Sequence, residues 1–373
     1  MKTLGIIGGG QLGRMLVEAA QKLTISTIVL DPTSNSPAGQ ITEQIIGDFK
    51  DPIQIKKIAG LSKFLTWEIE SAKSKALKAL QAKGAIVNPN PRSLEVIQDK
   101  LRQKNFLKEY KIPLPAFTKV KSEKDINKVA EYLRFPLVLK SRFHAYDGRG
   151  NVVIHSKKDI QAALKKLRGA DLYLEEFISF EKELAIQIAR DTKGNQVIYP
   201  VVETIQKNSI CHTVIYPADI TKNIEKSAIE IAQKIVSKLF GAGIFAVEMF
   251  LTKNGKILIN EIAPRVHNSG HWTIEGCNVS QFENHVRAVC SMPLVSVKPK
   301  KKAAVMINIL GQRNGKANLK CMKYIQKMDS TYLHIYGKFE TRIERKMGHI
   351  TVTGNDVEST LKKALSARKA ITI

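Results

Sequence analysis

The chain has 373 residues, 43% hydrophobic and 25% charged, which is globular composition with length for two or three domains. No apolar run approaches the ~20 residues of a membrane span, the stretch behind Met1-Lys2-Thr3 is too short for a secretory signal, and Cys211, Cys277, Cys290 and Cys321 have neither metal-binding nor disulfide spacing, so a cytoplasmic protein is expected. The formal charge of +25 suggests polyanionic partners, but lysines outnumber arginines about three to one, are scattered, and form no nucleic-acid-binding motif, so a lysine-biased solvated surface is expected, which phosphorylated small molecules would also suit, with neither nucleic acid nor a membrane as partner.

In chain order, Thr3–Ile7 reads as a buried parallel strand that ends in glycines and enters a helix over Gln11–Lys22. A second strand, Ser26–Leu30, stops at Asp31-Pro32. Apolar and helical stretches then alternate at Gln54–Ala59, Phe64–Trp67, Ala72–Ala82 and Ala85–Asn88, which is βαβ order. Asn88-Pro89-Asn90-Pro91 punctuates this unit, a polar helix is predicted over Ser93–Glu109, and Ile112-Pro113-Leu114-Pro115 is a second break. A further αβ unit follows: helix Glu123–Tyr132, strand Phe135–Ser141, loop Arg142–Gly150, strand Asn151–His155, helix Lys157–Leu167 and strand Leu172–Phe177. Strands are then expected at Glu183–Arg190, Gln196–Glu203 and His212–Pro217, with a helix at Ile224–Leu239, a hairpin over 244–263 and a closing helix at Val357–Ala367.

Gly8-Gly9-Gly10-Gln11-Leu12-Gly13 matches GxGxxG, follows a strand and opens a helix, and Asp31 ends the next strand. Three readings fit it: a dinucleotide site of an NAD(P)-dependent oxidoreductase, glycines needed only for packing, or another phosphorylated ligand at the helix N-terminus. Downstream, Lys140 ends a strand and Tyr146-Asp147-Gly148-Arg149-Gly150-Asn151 precedes the next. Such a loop can drape over a triphosphate, with backbone amides, Arg149 and Lys140 as donors, although alone it reads equally as a flexible hairpin. Glu175, Glu176, Phe177 and Ile178 close a strand whose backbone can read an adenine edge, and Glu183 can accept ribose hydroxyls.

The hairpin carries the strongest physical signal. With Asn254-Gly255 as a two-residue type I′ turn, Glu248 lies directly opposite Glu261. Opposed carboxylates repel, and Lys253 and Lys256 sit too near the turn to cover them. A divalent cation removes the conflict, and oxygen ligands completed by phosphates suit Mg²⁺. Next, His267-Asn268-Ser269-Gly270-His271 lacks the glutamate of HExxH, so zinc hydrolysis is not indicated. The segment reads as the acceptor side of phosphoryl chemistry.

With IIGGGQLGRM, TWEIE, QDKLRQK, YDGRGN, EEFI, NEIAPRVHNSGHWT and ERKMGHI in order, the whole chain resembles the ATP-grasp superfamily, within it the N5-carboxyaminoimidazole ribonucleotide synthetases. The resemblance implies an α/β ATP-grasp fold in three domains: an N-terminal doubly wound parallel sheet (1–95), a small αβ lid (112–178) and a C-terminal α+β domain with an antiparallel sheet (179–373). It implies ATP-dependent carboxylation of 5-aminoimidazole ribonucleotide by bicarbonate, through carboxyphosphate, in purine biosynthesis, in a homodimer with a mutase downstream. A formate-dependent glycinamide ribonucleotide transformylase shares the architecture and is the alternative.

The implied ATP-binding residues are Lys100, Lys140, the loop Tyr146–Asn151, Glu175 to Ile178, Glu183, Gln206, Asn260 and Glu261, with magnesium on Glu248 and Glu261. Gln11, Leu12 and Glu68 would meet the ribonucleotide, and Lys338, Arg345, Lys346 and Asn268 its phosphate. Arg265, His267, Asn268, Tyr146 and Arg149 are the catalytic candidates. Lys100, Gln206 and Val266 stand where the family usually has arginine, histidine and proline, and altered ATP affinity, not lost function, is expected from these departures.

Overall fold

Leu4, Ile6 and Ile7 are fully buried because their strand, β1 (Lys2–Ile7), runs through the middle of a parallel sheet. The computed structural model describes residues 2–143, 150–318, 325 and 327–373. In the first sheet β1 is joined by β2 (Thr27–Asp31), β3 (Glu43–Ile46), β4 (Ser62–Trp67) and β5 (Ile86–Val87), in the order β3-β2-β1-β4-β5, all parallel. The βαβ pattern anticipates this arrangement except for β3. That strand lies at an edge and fully buries only Ile45, so it leaves no hydrophobic period to read.

A second, antiparallel sheet holds β6 (Phe117–Val120), β7 (Leu137–Ser141), β8 (Asn151–Ile154) and β9 (Leu172–Glu176) in the order β6-β9-β7-β8. Ile126, Val129, Ile160 and Ala163, from the two helices that cross over it, share one core with Leu137, Leu139 and Leu174.

The third sheet is the largest. It contains β10 (Phe180–Arg190), β11 (Gln196–Ile198), β12 (Val202–Lys207), β13 (Ile210–Tyr216), β14 (Gly243–Thr252), β15 (Ile257–Ala263) and β16 (Ala303–Leu310). A short ribbon of β17 (Gly315–Lys316) and β19 (Glu340–Thr341) stands apart, while β18 (Thr331–Ile335) and β20 (Lys346–Gly354) complete the large sheet. Its order is β15-β14-β10-β12-β13-β16-β20-β18, with β11 beside β10. Met15, Leu16, Ala19 and Ala20 of the first helix, Gln11–Lys22, enter the same core as Phe282, Val286 and Val289 of the helix Gln281–Val289. The glycine turn is thereby fixed against the large sheet. Among the described residues no helix is long and apolar enough to cross a membrane.

Three local expectations are corrected. The helix over Ser93–Glu109 is two helices, Pro91–Gln98 and Lys100–Glu109, because Asp99 leaves helical geometry and caps the second through the Leu101 and Arg102 amides. The strand over Gln196–Glu203 breaks after Ile198, and β12 begins only at Val202. The hairpin turn is also not a two-residue type I′ turn. Gly255 alone of its two central residues has positive φ (75°), and Thr252 bonds Lys256 across a three-residue loop. Leu251 accordingly pairs with Ile257, one residue away from the expected register.

Candidate active site

Glu248 and Glu261 nevertheless face each other, because a β-bulge between Ile259 and Glu261 absorbs the one-residue difference. The unpaired residue is Asn260, so Asn260 and Glu261 are both half-buried where strict alternation would hide one. Two departures from the ideal hairpin thus cancel at the pair that matters. Burial and the charges of Glu261 and Glu183 push the Glu248 carboxyl up to about 8. Burial acts on Glu261 too, but Lys100, 2.9 Å away, with Lys140 and Arg265 beyond, holds it below the usual carboxylate range.

Such a pair suits a cation that brings most of its own ligands. Among the described residues no cluster of three or more His, Cys, Asp and Glu forms a metal cage. Magnesium is commonly held by one or two carboxylates together with substrate phosphates, so the donor set fits that ion. Glu183, on β10 next to β14, has its carboxyl raised by burial and moderated by a hydrogen bond with Gln206.

Beside the pair lies a lysine-lined floor. The break at Asp99 puts Lys100 at the start of a helix, and the Lys100 backbone amide donates to the Arg142 carbonyl at 2.8 Å. The Arg142 guanidinium in turn grips the Asp99 carboxylate. Lys104, one turn on, is 3.0 Å from one oxygen of Glu175, and Lys140 is 2.6 Å from the other. Burial alone would raise the Glu175 carboxyl, but the two ammonium charges hold it ionised. At 2% exposure Glu175 cannot reach a nucleotide itself, and it serves the site through Lys140. Glu176 and Phe177 are exposed and Ile178 half-buried in the link to β10, while the Glu176 amide is already bonded to the Ala116 carbonyl.

On the opposite wall stands the glycine turn, and its amides are occupied. Gly9 N–H donates to Asp31 Oδ2 at 2.8 Å and Gly10 N–H to Glu68 Oε1 at 2.7 Å. Carboxylates thus occupy the amides that a dinucleotide pyrophosphate would need, which removes the basis for the oxidoreductase reading. Gly8 has φ +99°, and a Cβ there would lie 2.7 Å from the Glu68 side chain. Lys338 Nζ reaches Gln11 Oε1 at 2.7 Å and the Lys346 carbonyl at 2.6 Å, and Arg265 pairs with Glu70 at 2.9 Å. Arg265 also acts electrostatically on Glu68 and Glu261, so one guanidinium joins both walls. Leu12 is buried, and Arg345 donates to the Glu340 carbonyl at 2.7 Å.

Burial outweighs the Gly10 hydrogen bond and lifts the Glu68 carboxyl from 4.5 to about 7. The folded state therefore binds more protons than the unfolded one between these values, and stability falls as pH rises through that window. The shift is worth ~3 kcal/mol. Glu68→Gln keeps an acceptor for Gly10 and is expected to raise the ligand-free Tm at pH 8 by ~4 °C, with the gain vanishing near pH 5. Thermal scans across pH check this, and parallel profiles for the two proteins would refute the assignment.

The segment after β15 completes the site. His267 N-caps the short 3-10 turn Asn268–Gly270. Its Nε2 lies 3.5 Å from Glu248 Oε1, and burial, with Arg265, Lys346 and Lys100, holds the imidazole well below its ordinary value. Asn268 is buried and exchanges two hydrogen bonds with Asn308 of β16, at 3.1 and 2.6 Å, and Asn308 also donates to the Cys211 carbonyl. Val266 is fully buried in the core, so its departure from the family pattern does not alter a side chain lining the site.

The structure thus brings Lys100, Lys140, Glu183, Gln206, Glu248, Asn260, Glu261, Arg265, His267, Asn268 and Lys346 together around the carboxylate pair and its flanks. Gln11, Glu68 and Lys338 form the adjoining wall. Gly150 and Asn151 lead into β8, where Asn151 pairs with Lys140. Tyr146, Asp147, Gly148 and Arg149 lie outside the described residues. Glu70, Asp99, Lys104, Arg142, Gln187 and Asn308 were not anticipated, whereas Asp31 stands out in the sequence by its place after the glycine motif.

Three family models match along the chain: a ribonucleotide synthetase preATP-grasp domain over residues 1–98, an ATP-grasp domain over 105–282, and a phosphoribosylaminoimidazole carboxylase C-terminal domain over 304–363. A phosphoribosylaminoimidazole carboxylase of Schizosaccharomyces pombe is 44% identical over 94% of this chain, which spans 65% of that relative's length. The crystal structure of N5-carboxyaminoimidazole ribonucleotide synthetase from Thermotoga maritima is 45% identical, with a TM-score of 0.89 and coverage of 100% of this chain and 99% of that one. N5-carboxyaminoimidazole synthase from Aspergillus clavatus, solved with ADP and 5-aminoimidazole ribonucleotide, is 35% identical with a TM-score of 0.90, covering 99% of this chain and 98% of that one.

Proposed function

Because the chain belongs to the N5-carboxyaminoimidazole ribonucleotide synthetases of the ATP-grasp superfamily, we propose that it carboxylates 5-aminoimidazole ribonucleotide with bicarbonate at the expense of ATP. The products are N5-carboxyaminoimidazole ribonucleotide, ADP and phosphate, formed through carboxyphosphate in purine biosynthesis. One observation carries this reading: Arg265 and the bonds across Lys338 and Gln11 join a phosphoryl-transfer wall, built on Glu248 and Glu261, to a glycine turn whose amides are already held by carboxylates.

Phosphoryl transfer needs positioning and charge neutralisation more than covalent chemistry. Lys140, Lys100 and Arg265 supply fixed positive charge to the triphosphate, and Glu183 accepts from the ribose. Glu248 and Glu261 would hold magnesium, which supplies neutralisation of the charge developing on the transferred group. Glu68 and Gln11 meet the ribonucleotide's base and ribose, and Lys338 and Lys346 its phosphate. His267 and Asn268 orient the acceptor next to the carboxylate pair, and Asn308 keeps the Asn268 amide from rotating. That the Aspergillus relative was solved with ADP and 5-aminoimidazole ribonucleotide supports these two ligand classes for the chain. A homodimer and a mutase that receives the product belong to the same reading.

In a coupled assay on the full chain, ADP release is expected to require both bicarbonate and 5-aminoimidazole ribonucleotide. Release that depends instead on formate and glycinamide ribonucleotide would establish the transformylase alternative.

A further inference from the structure

Nδ1 of His267 accepts a hydrogen bond from the Ser269 backbone N–H at 3.3 Å and lies 2.8 Å from the Ser269 hydroxyl. A backbone N–H only donates, so Nδ1 keeps its lone pair and the ring carries its proton on Nε2. The hydroxyl is committed as well. Gln187 Nε2 donates to Ser269 Oγ at 2.8 Å, which leaves the Ser269 hydrogen directed at Nδ1. Gln187 is fully buried within β10, and its Oε1 has no hydrogen-bond partner among the described residues. Orphaning a buried amide oxygen is costly, so the position is held for what its other end does.

We propose that Ser269 and Gln187 are positioning residues that lock His267 in the Nε2–H tautomer, so that it serves the reaction as a hydrogen-bond donor and not as the base. The inference rests on the acceptor-side role given to His267 above. At 3.5 Å from Glu248 Oε1, the Nε2 proton is too far for a strong hydrogen bond there, and is available to a carbonate or phosphate oxygen. With Nδ1 turned inward, the ring offers the site no accepting atom. As the amine nitrogen bonds the carboxyl carbon, the bond from that carbon to the phosphate oxygen breaks, and the amine proton leaves on the released phosphate.

Long-range proton–nitrogen spectra of the ligand-free full chain, ¹⁵N-labelled at histidine and assigned with His267→Gln, are expected to show an unprotonated Nδ1 and a protonated Nε2. Ser269→Ala and Gln187→Leu are expected to lower kcat about tenfold, the rate equivalent of one ordinary hydrogen bond, with both substrate KM values changed less than about twofold. Ser269→Thr restores the hydroxyl and the rate. A protonated Nδ1 in the parent protein, or an unchanged kcat in both variants, would overturn the proposal. Because the spectrum is read without substrates, it stands apart from any failure of the carboxylation assay.

Discussion

Glu261→Gln is expected to lower the rate of ADP formation about 10³-fold or more, equivalent to ~4 kcal/mol of lost transition-state stabilisation. The substitution keeps the shape of the side chain and removes the charge that both a cation and Lys100 would use. It also leaves the Lys100 ammonium, 9% exposed, without its ion-pair partner, so that lysine is free to compete with the metal for phosphate oxygens. Glu248→Gln is expected to be milder toward the folded chain. Its carboxyl is already pushed up to about 8, and an amide resembles the protonated acid. Toward turnover the two variants are expected to converge, because each removes one of the two carboxylates assigned to the metal. Steady-state ADP release against magnesium concentration checks this, with the half-saturating concentration rising about tenfold or more in each variant. Unchanged rates in both would show that Glu248 and Glu261 do not hold the metal that phosphoryl transfer uses.

Glu175 has the largest expected effect on stability. It is the common counter-ion of Lys104 and Lys140, and both it and Lys104 are 2% exposed. Removing one member of a buried ionic cluster leaves uncompensated charge, at a cost of ~3–5 kcal/mol. Glu175→Gln is therefore expected to lower the denaturation midpoint sharply, and Lys104→Met added to it should recover part of the loss by removing one stranded ammonium. The sign with pH follows from the depressed Glu175 carboxyl. Its contribution is present above the unfolded value of 4.5 and is lost as pH falls through the lower folded value. Denaturant titrations of the two single variants and the double variant test this. An additive double variant would show that Glu175 and Lys104 are not energetically coupled.

How far a sequence can be read depends on how local the determining physics is. The carboxylate pair was legible because cross-strand pairing follows from short-range counting. Even so the assumed turn was wrong, and only the bulge at Asn260 restored the partnership. Turn type depends on whether Asn254 accepts positive φ, which its neighbours do not reveal. The helix break at Asp99 was illegible for a different reason. Aspartate is tolerated within helices, and what fixes it as a cap here is Arg142, 43 residues away in the chain. Gln187 and Asn308 left no trace at all, because each is flanked by isoleucines in its strand and gains its role only from the Asn268–Gly270 turn packed against the sheet. Lys100 was noted as a departure from the family pattern, yet its hold on Glu261 follows from three-dimensional proximity. The glycine motif alone left three readings open; the family resemblance chose the ribonucleotide, and Glu68 and Asp31 on the amides remove the basis for the dinucleotide.

The helix Gln11–Lys22 buries Met15, Leu16, Ala19 and Ala20 against Phe282, Val286 and Val289, residues more than 260 positions further along the chain. The first hundred residues are therefore not an exchangeable cassette, although they hold a complete parallel sheet. Expressed alone, that segment would present the apolar side of its first helix to water, and a hybrid made with a relative's N-terminal segment would need matching changes in Gln281–Val289 to close the seam. Substrate preference on the glycine-turn wall can drift during evolution only as fast as this shared core allows.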